Sequence, residues 1–247
     1  MRKLCIANWK MNMESSDSSS YLNTLLNFDC SSDFVQMVIC PPFTLIDSIY
    51  NKLSNSIIHI GAQNMSHKKR GPYTGEISSS MLIDLGCKWI ILGHSERRIN
   101  YQETSDIISL KLKLCIDSGL FPILCIGESL EHRKNNETNN ILMSQLDNVL
   151  SSLAQLNFSL AVAYEPIWAI GTGVNASEED INSATNFIAN HISNKYPSID
   201  CKILYGGSVN KNNSKKISQI AKLDGFLVGS ASLDAEEFFG IYKNLEG

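Results

Sequence analysis

The chain has 247 residues, 43% hydrophobic and 19% charged, with a mean hydropathy of −0.07, a profile that suits a globular protein with a large buried core. Its formal charge of −4 and pI near 5.7 argue against nucleic acid or an anionic membrane as the main partner, because both call for a basic face. No apolar stretch reaches the roughly 18 residues of a membrane span, and the opening MRKLCIANWKMN holds too short an apolar segment for a secretory leader, so a cytoplasmic protein is expected.

Eight short apolar runs follow in chain order: LCIANW (4–9), VQMVIC (35–40), IIHIGA (57–62), WIILG (89–93), FPILCIG (121–127), LAVAYE (160–165), KILYGG (202–207) and GFLVGS (225–230). Each is too short for a helix, rich in branched aliphatics and closed by polar or small residues, as strands buried on both faces of a parallel sheet are. Between them lie stretches with helical spacing, clearest at 106–117 and at 177–192, where Ser177 followed by acids reads as a helix start. The polar segment 131–140 reads as a solvated loop leading into a helix. Strand alternating with helix eight times predicts an α/β protein, a single (β/α)8 barrel over residues 1–247. An open doubly wound sheet is the other architecture considered, but no GxGxxG follows the first strand. The seven cysteines, Cys5, Cys30, Cys40, Cys87, Cys115, Cys125 and Cys201, form no CxxC pair and read as reduced thiols, mostly in the core.

Such barrels build their active sites at the carboxyl ends of the strands. Those ends carry Asn8 and Lys10 after the first run, His94, Ser95 and Glu96 after the fourth, and Glu165 after the sixth. Gly206, Gly207 and Ser208 follow the seventh, and Gly229 and Ser230 the eighth. A carboxylate, an imidazole and an ammonium are thus expected at one mouth beside glycine turns, whose backbone N–H groups suit an anion. The other histidines, His59, His67, His132 and His191, show no ligand spacing and are assigned no role.

ANWKMN (7–12), ILGHSERR (91–98), AYEPIWAIGTG (163–173), YGGSV (205–209) and GFLVGSASL (225–233) resemble the signature segments of the triosephosphate isomerase family, in family order over nearly the whole chain. The resemblance implies a TIM barrel that isomerises dihydroxyacetone phosphate and glyceraldehyde 3-phosphate, with no cofactor and no metal. It implies Glu165 as the base at carbon, neutral His94 as the electrophile at oxygen, and Lys10 with Asn8 beside the enediolate and phosphate. Glu96 resembles an acid that orients Lys10, and Cys125 a packing residue. Gly171, Ser208, Gly229 and Ser230 match phosphate-contacting positions. The segment 166–176 resembles a lid, with Pro166, Ile167 and Trp168 as one hinge, Ala169, Ile170, Gly171, Thr172 and Gly173 as the tip, and Val174, Asn175 and Ala176 as the other hinge. Closing it would exclude water from the enediolate. The loop 63–76 resembles one that reaches into a second copy of the chain. A homodimer is therefore expected, with Thr74 buttressing Asn8, Lys10 and Glu96 of the partner subunit and Met11 close to the contact.

Two places depart from the family's pattern. Ser230 stands where a second glycine is usual, and a positive φ there would cost serine roughly 1 kcal/mol and weaken phosphate binding. Val174, Asn175 and Ala176 replace a hinge in which lysine and threonine are frequent. Two other functions remain in view. A different barrel enzyme with a phosphate site would need a Schiff-base lysine or metal ligands at the mouth. A catalytically silent barrel with a scaffolding role would be expected to lack Glu165, His94 or Lys10, and all three are present.

Overall fold

All eight apolar runs are strands in the computed structural model, which describes residues 2–169 and 176–247. They are β1 (Lys3–Asn8), β2 (Val35–Cys40), β3 (His59–Ala62), β4 (Trp89–Leu92), β5 (Phe121–Ile126), β6 (Phe158–Tyr164), β7 (Ile199–Tyr205) and β8 (Gly225–Val228). The helices are α1 (Ser15–Leu25), α2 (Ile46–Leu53), α3 (Ser79–Asp84), α4 (Ser95–Asn100), α5 (Ser105–Asp117), α6 (Leu130–Lys134), α7 (Thr138–Leu150), α8 (Glu178–Lys195), α9 (Ser214–Ile217) and α10 (Ala235–Glu246). Each strand pairs in parallel with the next, and β1 also pairs with β8 through Leu4↔Gly225 to Ala7↔Val228, which closes the barrel. The expected (β/α)8 TIM barrel is the fold.

The continuous apolar runs follow from this closure, because alternate residues of each strand meet two different cores. Leu4, Ile6, Val38, Cys40, Ile91, Ile123, Cys125, Ala161, Ala163 and Leu227 belong to an inner cluster that fills the barrel. Their neighbours in sequence, such as Cys5, Ala7, Ile39, Ile90, Leu92, Leu124 and Val162, pack in the larger cluster with the helices. Strand ends shift slightly from expectation. Ile57 lies outside β3 and is exposed, whereas β6 and β7 begin earlier than the apolar runs because Phe158 already pairs with Ile199.

Local chemistry sets the helix starts. Thr104 caps α5 by accepting from the Ile107 N–H, and Ser177 with Asp180 forms a full capping box on α8. The segment 131–140 differs from the loop expected there. Ser129 caps the short helix α6, and Asn136, at φ 57°, turns the chain into α7. All seven cysteines are free thiols, six of them buried, and Cys125 sits in the inner cluster.

Candidate active site

The carboxyl ends of the strands surround a cavity of about 820 Å³ lined by Asn8, Lys10, His94, Glu165, Ser208, Gly229 and Ser230. Leu227 of the inner cluster also lines it, so the cavity sits directly on the barrel core. Seven of the residues expected at the site therefore converge. Glu96 does not line the cavity and acts on those that do.

Lys10 follows β1 in a conformation that non-glycine residues rarely adopt, with φ 53°. Three contacts hold it there. Its N–H donates to Asn8 Oδ1 at 3.1 Å, its carbonyl accepts from Gln63 Nε2 at 2.8 Å, and its Nζ pairs with Glu96 Oε1 at 2.6 Å. Asn8 itself is buried. The ammonium is thereby pinned at the mouth, where a flexible lysine would otherwise wander into solvent.

His94 follows Gly93, whose φ of 67° suits glycine, and caps α4. Its Nδ1 accepts the Glu96 N–H at 3.3 Å, which leaves the proton of a neutral imidazole on Nε2. That Nε2 lies 3.2 Å from Glu165 Oε1. The other carboxylate oxygen of Glu165 accepts the Ser95 N–H at 3.2 Å. Glu165 is only 2% exposed, so both oxygens depend on these donors in place of water. Its backbone is wedged as tightly: the Glu165 N–H donates to the Ile126 carbonyl at 2.7 Å, and a Cβ on Gly127 would fall 1.7 Å from the Glu165 carbonyl oxygen.

On the glycine-rich side, Gly229 leads into a turn of 3-10 helix over Ser230–Leu233. Trp9 Nε1 donates to the Ser232 carbonyl at 3.1 Å and so ties this turn to the exit of β1. Ser230 is not among the four described non-glycine residues with positive φ, so the strain considered for serine there does not arise. The Ser208 hydroxyl donates to the Ala169 carbonyl at 2.7 Å, joining the β7 exit to the chain after Glu165. Of the expected lid, Pro166, Ile167, Trp168, Ala169 and Ala176 are described. Pro166 is buried, Ile167–Ala169 is a 3-10 turn, and Ala176 is buried. Ile170, Gly171, Thr172, Gly173, Val174 and Asn175 lie outside the described residues. Thr74 and Met11 are exposed.

Several residues at the site are missing from the sequence reading. Gln63 bridges Lys10 and the Cys40 carbonyl. Arg98 donates to the Gly93 carbonyl at 2.7 Å and to the Cys125 carbonyl at 3.1 Å, which fixes the loop that carries His94. Glu128 is fully buried after β5; it accepts from Tyr164 Oη at 3.1 Å and Trp168 Nε1 at 2.9 Å, and its carbonyl accepts the Ile167 N–H. Burial and the adjacent Glu128 carboxylate push the Tyr164 phenol up from its usual pKa, which keeps it a neutral donor. Arg98 closes the segment 91–98 and Gln63 opens the loop 63–76, but Gln63 and Glu128 look like ordinary loop polar residues until their partners are known.

A buried carboxylate held against an imidazole, beside a pinned ammonium and a glycine-rich turn, defines a (β/α)8 enzyme equipped to move protons on a small anionic substrate. The comparisons give the particular family. A family profile described as triosephosphate isomerase matches residues 3–245. The chain is 43% identical over 244 residues to the triosephosphate isomerase of Hahella chejuensis, with 98% of each chain covered. It is 41% identical over 240 residues to that of Aquifex aeolicus, covering 96% of this chain and 97% of the relative. With that of Alkaliphilus oremlandii it shares 43% identity over 246 residues, 98% and 99% covered. The chain belongs to the triosephosphate isomerase family.

Proposed function

We propose that this protein interconverts dihydroxyacetone phosphate and D-glyceraldehyde 3-phosphate through an enediolate, with Glu165 as base and neutral His94 as electrophile. The observation that carries the reading is the 3.2 Å contact between His94 Nε2 and Glu165 Oε1 inside a cavity that also holds Lys10. Glu165 takes the proton from the carbon beside the carbonyl, and the C–H electrons form the carbon–carbon double bond of the enediolate. The His94 Nε2–H meets the oxygen on which charge develops, and the imidazole passes a proton between the two oxygens. Glu165 then returns its proton to the neighbouring carbon. Lys10, held by Glu96, offsets the charge of the enediolate and the phosphate, with Asn8 beside it.

The phosphate is read onto the N–H groups of Ser208, Gly229 and Ser230, joined by Gly171 when segment 166–176 covers the site. That covering excludes water from the enediolate. The exposure of Thr74, and of Met11 at 94%, favours a homodimer in which the loop 63–76 of one copy supports the Lys10 region of the other. Seven unpaired thiols favour a reducing, cytoplasmic setting, and no helix among the described residues is long and apolar enough to cross a membrane.

The test is a coupled assay with dihydroxyacetone phosphate. Glu165→Gln and His94→Gln are each expected to lower kcat by roughly 10²–10⁴-fold with little change in stability. Activity surviving Glu165→Gln within tenfold would refute the assignment of the base.

A further inference from the structure

The carboxyl ends of the strands hold the active site, and their amino ends surround another cavity, of about 370 Å³, at the opposite end of the barrel. That volume lies within the roughly 300–1,000 Å³ of sites that hold small organic ligands. Its walls follow from strand alternation. Two residues before Val38, Ala161 and Leu204 of the inner cluster stand Gln36, Ser159 and Lys202, which share the inward face of β2, β6 and β7. His59 pairs with Val38 at the start of β3 and faces the same way. The lumen that apolar side chains fill further along these strands thus ends among polar ones.

Two aromatic rings and two cations border this cavity. Trp89 and Phe121, paired at the first residues of β4 and β5, have ring centroids 5.0 Å apart with their planes tilted by 30°. Phe121 is 43% exposed, so a large apolar side chain meets water here. Trp89 is buried, and its Nε1–H has no hydrogen-bond partner among the described residues, which is costly for a buried donor. The exposed Lys88 ammonium, just before β4, has neither an ion pair nor a hydrogen bond among the described residues. Lys202 Nζ donates to the Arg2 carbonyl at 2.7 Å and pairs with no carboxylate among them. Asp200 at the rim is exposed and accepts from the Ser159 hydroxyl at 3.3 Å. Burial, then the charges of Lys88 and Arg2, hold the His59 pKa below its usual value, so the imidazole is neutral in positive surroundings.

We propose that this cavity is a binding site for a small planar aromatic acid, whose ring lies against Trp89 and Phe121 and whose carboxylate meets the ammonium groups of Lys88 and Lys202. The ring covers apolar surface that Phe121 otherwise shows to water, and offset stacking on two aromatic side chains favours a flat body over a branched one. The carboxylate fits because both lysines lack a countercharge, and charges beside a low-dielectric wall attract more strongly than charges in bulk water. A triose phosphate brings no apolar body for the rings. The site therefore differs in chemistry as well as in place from the one that holds Glu165. A ligand that binds only the folded barrel also stabilises it by mass action.

The experiment titrates the full-length protein by calorimetry with 2-naphthoate and with its uncharged amide, 2-naphthamide. The indole N–H signals of Trp9, Trp89 and Trp168 are followed by NMR, with Trp89→Phe identifying the signal of Trp89. Naphthoate is expected to bind one to one with a Kd of roughly 10–500 μM and to move the Trp89 signal. The amide, without the charge, should bind roughly tenfold more weakly. Lys88→Gln and Lys202→Gln should each weaken naphthoate by roughly three- to tenfold. The NMR signals of the wild type locate the ligand even where a variant does not fold. No saturable binding of naphthoate up to about 5 mM overturns the proposal. So does a Trp89 signal that stays in place at saturation, equal affinity for the amide, or unchanged affinity in the variant that carries both glutamines.

Discussion

The Gln63 side-chain amide donates to the Lys10 carbonyl across 2.8 Å and to the Cys40 carbonyl across 3.0 Å, so one amide joins the exits of β1 and β2 to that of β3. Lys10 has a φ of 53°, a region that costs a non-glycine residue roughly 1–3 kcal/mol. Gln63→Ala removes both bonds and frees the lysine backbone to relax. Stability is expected to fall by about 1–3 kcal/mol in urea unfolding. kcat/KM should drop roughly tenfold as the ammonium loses its place. An unchanged KM and kcat would show that Asn8 and Glu96 hold Lys10 by themselves.

Ser230 begins its 3-10 turn without positive φ, so glycine has no conformational advantage at that position. Ser230→Gly is therefore expected to leave KM for the triose phosphate within about twofold. The comparison of KM values checks it, and a several-fold fall would mean that the serine side chain itself obstructs the phosphate.

The proposed homodimer makes Thr74 a residue that loses its exposure on assembly. Thr74→Arg, a large charge placed at that contact, is expected to give monomers in sedimentation velocity. The same variant should lose most of its specific activity, because Lys10 and Glu96 would no longer be supported from outside. A wild type that sediments as a fully active monomer at assay concentration would refute the dimer.

Asp147 clamps α7 to α8, accepting from His191 Nε2 and Lys195 Nζ at 2.8 Å and from Tyr196 Oη at 2.7 Å. Burial would raise its pKa, but these three donors outweigh it and lower the carboxyl from 3.8 to about 2. A pKa depressed on folding stabilises the native state above the unfolded value and is lost as pH falls through the folded one. The linkage is worth about 2 kcal/mol near neutral pH. The stability gap between wild type and Asp147→Ala, followed by chemical unfolding from pH 7 downward, should hold to about pH 4 and shrink by that amount toward pH 2. A gap independent of pH would show that the clamp acts through packing alone.

The strands were legible because each is buried on both faces, which leaves a continuous apolar run in the text. The residues at their ends were legible because polar groups are conspicuous there: Asn8 and Lys10 after one run, His94 after another, Glu165 after a third. Glu128 was not, for the opposite reason. It sits in a polar stretch that resembles any solvated loop, and only the folded chain reveals that Glu128 is fully buried against Tyr164 and Trp168. Gln63 was hidden in the same way, because a side-chain amide announces nothing until the carbonyls it serves are in place.

What the sequence by itself determined is local. Runs of apolar residues mark strands, a serine followed by acids starts a helix, and the signature segments point to the groups proposed for the chemistry. What only the tertiary structure decided is convergence: Lys10 meets Glu96 from 86 residues away, and Ser95 meets Glu165 from 70. Burial periodicity depends on immediate neighbours and so can be read along a chain. Which distant side chains share hydrogen bonds depends on how twist and stagger close eight strands into a ring, and that is settled only when β8 pairs with β1.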